Sequence, residues 1–205
     1  PTNTMKKYSA LFCRSDSTYK KRPTWDVYDI NRNALHYNSN LAVVCHPPCR
    51  SWGRLSHMAT QVREGEKELG TWSIAKVIEN GGILEHPSGS KLFDHIPNDI
   101  GFVIEIDQYD FGHIAHKKTK LFISGIYEED LPPLPPKDES IHLCEKGKRR
   151  SICGNVKGTT RCTQYQREYT PNALIDYFEV ILDKIEDRKY WERESYYKDL
   201  ARCRA

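Results

Sequence analysis

Leu41-Ala42-Val43-Val44-Cys45-His46-Pro47-Pro48-Cys49-Arg50-Ser51-Trp52-Gly53 is an apolar run that ends on two prolines and hands the chain to a cysteine. The run is short, β-branched and too apolar for a half-exposed strand, so it predicts a buried parallel strand. Pro47 and Pro48 neither continue a helix nor donate to a ladder, so a rigid turn follows and presents Cys49. In open α/β sheets ligands bind beyond the carboxyl ends of the strands, which puts this thiol where a substrate would sit. The residues leave two other readings open: a structural loop cysteine, or half of a metal pair with Cys45.

Working outward, residues 8–13 and 25–30 read as the first two strands, separated by a polar, basic loop or short helix over 14–22. Between Asp29 and Leu41 there is no room for the usual crossover helix. Residues 65–80 place Leu69, Trp72, Ile74, Ala75, Val77 and Ile78 roughly along one helical face, with Glu64, Glu66 and Glu68 near the start, where the helix dipole favours acids. Asn80-Gly81-Gly82 ends that helix. Ile83-Leu84 is a short strand leading into Glu85-His86-Pro87-Ser88, a second proline-stopped turn. Residues 102–107 and 121–126 are two further strands, joined through a basic segment hinged at Gly112. Thr170-Pro171 opens a helix whose Leu174, Ile175, Phe178, Ile181, Leu182 and Ile185 share a face. Residues 190–204 read as a second, weaker helix. This alternation predicts a Rossmann-like α/β fold, a mostly parallel sheet flanked by helices, with a small basic irregular lobe before the C-terminal helices. The expected division is a core over 5–130, a basic lobe over 131–169 and C-terminal helices over 170–205 packing on the core.

Composition narrows the classes. The 205 residues are 38% hydrophobic and 29% charged, and no apolar run approaches the roughly 18 to 20 residues of a membrane span, so no membrane partner is expected. Seven cysteines form an odd set with no repeating framework, which fits free thiols and a cytoplasmic location. Pro1 to Thr4, ahead of Met5, read as a remnant outside the fold. A net charge of +3 permits nucleic acid as a partner without establishing it. Lys146, Lys148, Arg149, Arg150, Lys157 and Arg161 concentrate positive charge in the lobe, the natural place for phosphate contacts. His142, Cys144, Cys153 and Cys162 are the set there that would hold zinc. Eight residues between successive cysteines is not the usual knuckle spacing, so no metal is expected.

Pro47-Pro48-Cys49, then Glu85-His86, then the Phe111-Gly112 hinge leading to His116, Lys118 and Lys120 resembles, in order and spacing, the cytosine-C5 DNA methyltransferases, and more closely their short phage and prophage forms. The resemblance covers about residues 41–125. It implies a protein of a bacterial or phage-infected cell that flips a base out of DNA, and a monomer is expected. Cys49 would be the nucleophile that adds to C6 of a pyrimidine, and Glu85 the acid that holds N3. His116, Lys118 and Lys120 would stand near the family's glutamine and arginines. Pro48, Arg50 and Trp52 would line the base pocket or touch the backbone. The resemblance also implies S-adenosylmethionine as cofactor, with Phe12 at the first strand-end turn and Asp29 offered to the ribose hydroxyls. That turn, Phe12-Cys13-Arg14-Ser15-Asp16-Ser17, contains no glycine, and His86 stands where the family has Asn.

His86-Pro87-Ser88 supplies a competing expectation. It looks similar to the His-Pro-Ser loop of the uracil-DNA glycosylase superfamily, which implies His86 stabilising a leaving base, Ser88 pressing on the DNA backbone, and Asp16 or Asp29 orienting water. That chemistry uses no cofactor. A third expectation is a catalytically inactive relative that only binds DNA.

Overall fold

The computed structural model describes residues 4–53, 56, 62–137, 149–151 and 159–203. Its elements in chain order are β1 (Tyr8–Cys13), β2 (Trp25–Asp29), β3 (Ala42–Cys45), α1 (Glu66–Asn80), β4 (Gly82–Pro87), β5 (Phe102–Asp107), β6 (Lys118–Ser124), β7 (Arg149–Ser151), β8 (Thr159–Arg161), α2 (Gln164–Glu168) and α3 (Asn172–Cys203). The fold is mixed α/β. Six strands form one sheet in the order β2-β1-β3-β4-β6-β5, while β7 and β8 pair separately.

β1 to β4 run parallel, and β6 runs antiparallel to both β4 and β5. The reversal follows from chain length. Residues 108–117 supply one short helical turn and a bend at Gly112, whose φ of 86° is left-handed, too little for a parallel crossover of a dozen or more residues. β6 starts at Lys118, three residues before its apolar run, because pairing on both sides satisfies its backbone whatever its side chains.

Strand alternation divides the core in two. Ala10, Val44, Ile83, Leu121 and Ile123 pack with Leu174, Ile175, Phe178, Ile181, Leu182 and Ile185 of α3. Leu11, Val43, Cys45, Leu84 and Phe122 pack with Ile74 and Val77 of α1. α1 ends where the glycines predict. Gly81 is left-handed at φ 67°, and a Cβ on Gly82 would stand 2.0 Å from the Val43 carbonyl oxygen, so only glycine lets β4 enter the sheet here.

Two expectations change. The C-terminal region past Thr163 is the short α2 and then one continuous 32-residue helix, not two long ones. No glycine or proline falls between Ile185 and Tyr190, and Lys189–Glu186 and Arg188–Glu192 pairs bridge the supposed break. The basic lobe carries a two-stranded parallel ladder, with Arg149 opposite Thr159. His142, Cys144, Lys146, Lys148, Cys153 and Lys157 lie outside the described residues. Among the described residues no helix is long and apolar enough to cross a membrane.

Candidate active site at the ends of β3 and β4

β3 and β4 are parallel neighbours, with Val44 opposite Ile83 and Cys45 opposite Leu84. Continuing the alternation by two residues from the Val44–Ile83 rung brings His46 and Glu85 to the same face. His46 keeps strand pairing one step past β3, its N–H donating to the Leu11 carbonyl at 3.0 Å. Its Nδ1 lies 2.8 Å from Glu85 Oε2 and its Nε2 3.0 Å from the Tyr19 hydroxyl. On the other side Gln108 Nε2 donates to Glu85 Oε1 at 2.8 Å and to Thr119 Oγ1 at 3.0 Å. Tyr19, His46, Glu85, Gln108 and Thr119 thus form one polar chain across the sheet end, drawn from five segments.

The electrostatics assign the protons. Burial alone would raise the Glu85 carboxyl, but Lys117 and the hydrogen-bonded His46 outweigh it and hold it at about 2. Glu85 is therefore a carboxylate at neutral pH, and His46 Nδ1 is the donor in their contact. Lys117 is half-buried just before β6. Its backbone N–H donates to Asp107 Oδ1 at 2.7 Å, and its carbonyl accepts from the Gln108 N–H at 3.1 Å. The same short stretch of backbone thus carries both the lysine and the glutamine that act on Glu85.

Cys49 stands on the turn beyond β3. Its carbonyl accepts from the N–H groups of Trp52 and Gly53 at 3.2 and 2.9 Å. Arg50 grips the buried Glu66 at the start of α1 through two hydrogen bonds of 3.0 and 2.7 Å. Trp52, only 4% exposed, donates from Nε1 to the Lys67 carbonyl at 3.1 Å. A Cβ at Gly70 would come within 2.5 Å of that indole nitrogen, so the glycine makes the seat. Arg50 and Trp52, expected at the substrate, bolt the Cys49 turn to α1 instead. Cys49 itself is exposed, yet partial burial and then the Glu85 charge push its thiol up, with Lys117 opposing.

Thiol, carboxylate and lysine acting on one another has a direct test. Replacing Glu85 by Gln removes a negative charge beside the thiol, and Lys117→Met removes a positive one. Iodoacetamide labelling of Cys49 at pH 7.5, followed by peptide mass spectrometry, should speed up roughly three-fold in the first variant and slow by a similar factor in the second. Equal rates in all three proteins would separate Cys49 from Glu85.

The other expected site residues fall in several places. His86 alternates to the α1 face, 1% exposed, with its ring 6.4 Å from Phe93. Burial pushes its imidazole down to about 4. The Pro47 and Pro48 backbone lies close enough to favour the charged ring, yet neither ring nitrogen reaches a hydrogen-bond partner. Ser88 is held by its N–H to the Lys118 carbonyl at 3.1 Å, and Pro48 is half-buried above the site. Lys118 and Lys120 have the opposite parity to Thr119 and so point away from Glu85; Lys120 Nζ lies 5.7 Å over the Phe93 ring. His116 bonds Asp107 Oδ2 at 2.8 Å and stacks on Tyr109. Lys117, passed over in the sequence, takes the place expected of its neighbours. Asp16 is exposed and paired with Arg14. Arg149 and Arg150 form β7, and Lys148 lies outside the described residues.

Phe12 and Asp29, expected at an adenosyl cofactor, are already engaged. Phe12, one residue before the end of β1, is in the left-handed region at φ 61°, where β1 slips register against β2, and its ring meets Trp72 edge-on at 5.6 Å. Asp29 is 6% exposed and accepts from Lys20 Nζ at 2.5 Å and from the N–H groups of Asn31 and Arg32 at 2.9 and 3.2 Å. These residues do not fit S-adenosylmethionine. Among the described residues no group of three or more His, Cys, Asp and Glu side chains is arranged to hold a metal ion.

His46 was legible from strand parity, since it follows Val44 by two. Gln108 and Lys117 carry no local signal, because their access to Glu85 depends on β6 running backwards. Comparison with known proteins finds no matching family model and no matching curated protein.

Proposed function

We propose that this protein acts on a pyrimidine flipped out of DNA, with Cys49 adding to C6 of the ring and Glu85 holding the ring's hydrogen-bonding edge. The observation that carries the reading is the pairing of an accessible thiol with an ionised, braced carboxylate at the ends of two adjacent parallel strands. Substrates of α/β sheets bind at that rim. His46 and Gln108 each occupy one oxygen of Glu85 and leave it a further acceptor position, so the buried carboxylate is fixed in orientation with a site left for a donor on a base.

In this scheme a pyrimidine that donates a hydrogen bond to Glu85 offsets the charge that keeps the thiol protonated, so the nucleophile is released only with a base in place. Sγ then bonds C6, the C5=C6 π pair moves into the ring, and the proton lost from sulfur ends on N3 through the carboxyl of Glu85. Reversal of the same steps restores thiol and base. Lys117 offsets the negative charge that develops on the ring. No step passes through S-adenosylmethionine, whose implied residues are engaged elsewhere. The basic lobe is the proposed contact for phosphates.

The test uses an oligonucleotide with a single 5-azacytosine, whose ring nitrogen at position 5 makes C6 more electrophilic, incubated with the protein and no methyl donor. Intact-mass analysis should show the sum of protein and oligonucleotide masses, with the bond mapped to Cys49. Binding with no adduct would leave a DNA-binding protein without this chemistry. Released base and abasic sites would point to excision, and either result overturns the proposal.

A further inference from the structure

We infer that the cofactor half of the sheet end is closed by the chain's own residues, so that the protein binds no adenosyl methyl donor and its Cys49 site works without one. The inference rests on the proposed reading only for the place of Cys49; the closure is visible in β1, β2 and α2.

An adenosylmethionine has three parts to be recognised: an amino-acid end carrying charge, a ribose diol and an adenine. The amino-acid end needs a turn after β1 that the ligand can approach at the backbone, with open N–H groups. Here the turn is built from Phe12 at positive φ followed by Cys13, Arg14, Ser15, Asp16 and Ser17. Glycine, the residue that allows such an approach, is replaced throughout by side chains. No α-helix follows to offer an N-terminus. A single helical turn over Thr18–Lys21 takes its place, and it buries Tyr19 completely, 4.6 Å from the Trp25 ring.

The diol needs a carboxylate with free acceptor positions at the end of β2. Asp29 already accepts three hydrogen bonds, one from an ammonium group and two from backbone amides that form its own turn. One acceptor position is left on Oδ2 beside the Lys20 ammonium, so a ribose diol donating two hydrogen bonds would have to displace that lysine. The connection from β2 to β3 offers one further short helical turn, Ala34–His36, and buries Tyr37 against Tyr28 at 5.3 Å.

A third element roofs the same corner. Arg14 is paired with Glu168 of α2, and its guanidinium lies 5.4 Å from the Tyr165 ring. Thr18 Oγ1 donates to the Thr170 carbonyl at 3.2 Å, just past α2. The chain thus returns over the end of β1 from more than 140 residues downstream and is tied there by both charge and hydrogen bonding.

Equilibrium dialysis with radiolabelled S-adenosylmethionine, and separately with S-adenosylhomocysteine, tests the inference on the full chain, with and without the 5-azacytosine oligonucleotide to allow for ordered binding. No saturable uptake up to about 1 mM ligand is expected in any combination, while the adduct at Cys49 forms equally with and without the donor. Saturable binding of either molecule, or an adduct that requires the donor, overturns it. Absence of any adduct in both conditions, with dialysis still negative, would sink the pyrimidine reading and leave the closure standing, so the two failures are distinguishable.

Discussion

Cys49→Ser should reduce adduct formation on a 5-azacytosine oligonucleotide below detection, a fall of at least about a hundred-fold, because a serine hydroxyl at neutral pH has almost no ionised form to attack C6. The exchange barely perturbs the protein. Cys49 is accessible, its thiol is hydrogen-bonded to its own backbone, and its turn is held by its own carbonyl and by Arg50 and Trp52. Its circular dichroism and melting temperature should therefore match the parent. DNA affinity, measured by fluorescence anisotropy at fixed salt, should also stay within about two-fold, since phosphate contacts supply most of that term. Retention of the adduct in Cys49→Ser would assign the nucleophile elsewhere. Loss of DNA binding together with the adduct would show that the turn itself had moved.

Lowering the pH should unfold this protein earlier than its composition suggests, and His86 should set the first part of that loss. The ring is buried, neutral and held at about 4, against an ordinary value of 6.5. Between those two pH values the unfolded chain binds a proton that the folded one refuses, so stability is full above about 6.5 and falls as the pH drops toward 4. The full effect is on the order of 3 kcal/mol. Glu85 extends the loss in the same direction lower down: its carboxyl is held at about 2 against 4.5, so its stabilisation is present above 4.5 and disappears as the pH falls through 2. His86→Leu separates the two. Neither ring nitrogen has a partner to lose, so the variant should lie within about 1.5 kcal/mol of the parent at pH 8. Urea unfolding at pH 8, 6 and 4.5 should then show a much flatter decline for the variant. An unchanged slope would mean that His86 finds a partner in solution and is not kept neutral.

The apolar run at 41–45 and its two prolines read correctly from composition alone, since a β-branched segment stopped by Pro leaves few alternatives. The same holds for α1 and for the glycines at its end. The reading fails at Arg50 and Trp52, where polar and aromatic residues beside a nucleophile resemble substrate contacts but serve the packing of α1. Only the buried Glu66, 16 residues further along the chain, tells the two apart. It fails again at 116–120, where four positive or titratable residues are indistinguishable in sequence and strand parity sends Lys118 and Lys120 one way and Thr119 the other.

By itself the sequence determined where β1, β3 and β5 lie and where α1 stops, because hydrophobic runs, prolines and glycines act within a few residues of where they stand. It therefore placed Cys49 on a proline-stopped turn beyond β3, but Glu85, expected on a second such turn, lies within β4 opposite Leu121, because β6 pairs with β4 as far as Pro87. The tertiary structure alone decided which side chains surround them: Gln108 and Lys117 act on Glu85, and Thr119 braces Gln108, only because β6 runs antiparallel between β4 and β5, while Tyr19 reaches His46 because the loop after β1 folds inward. Hydrogen bonds and charges act through space over a few ångströms, and sequence separation carries no measure of that distance.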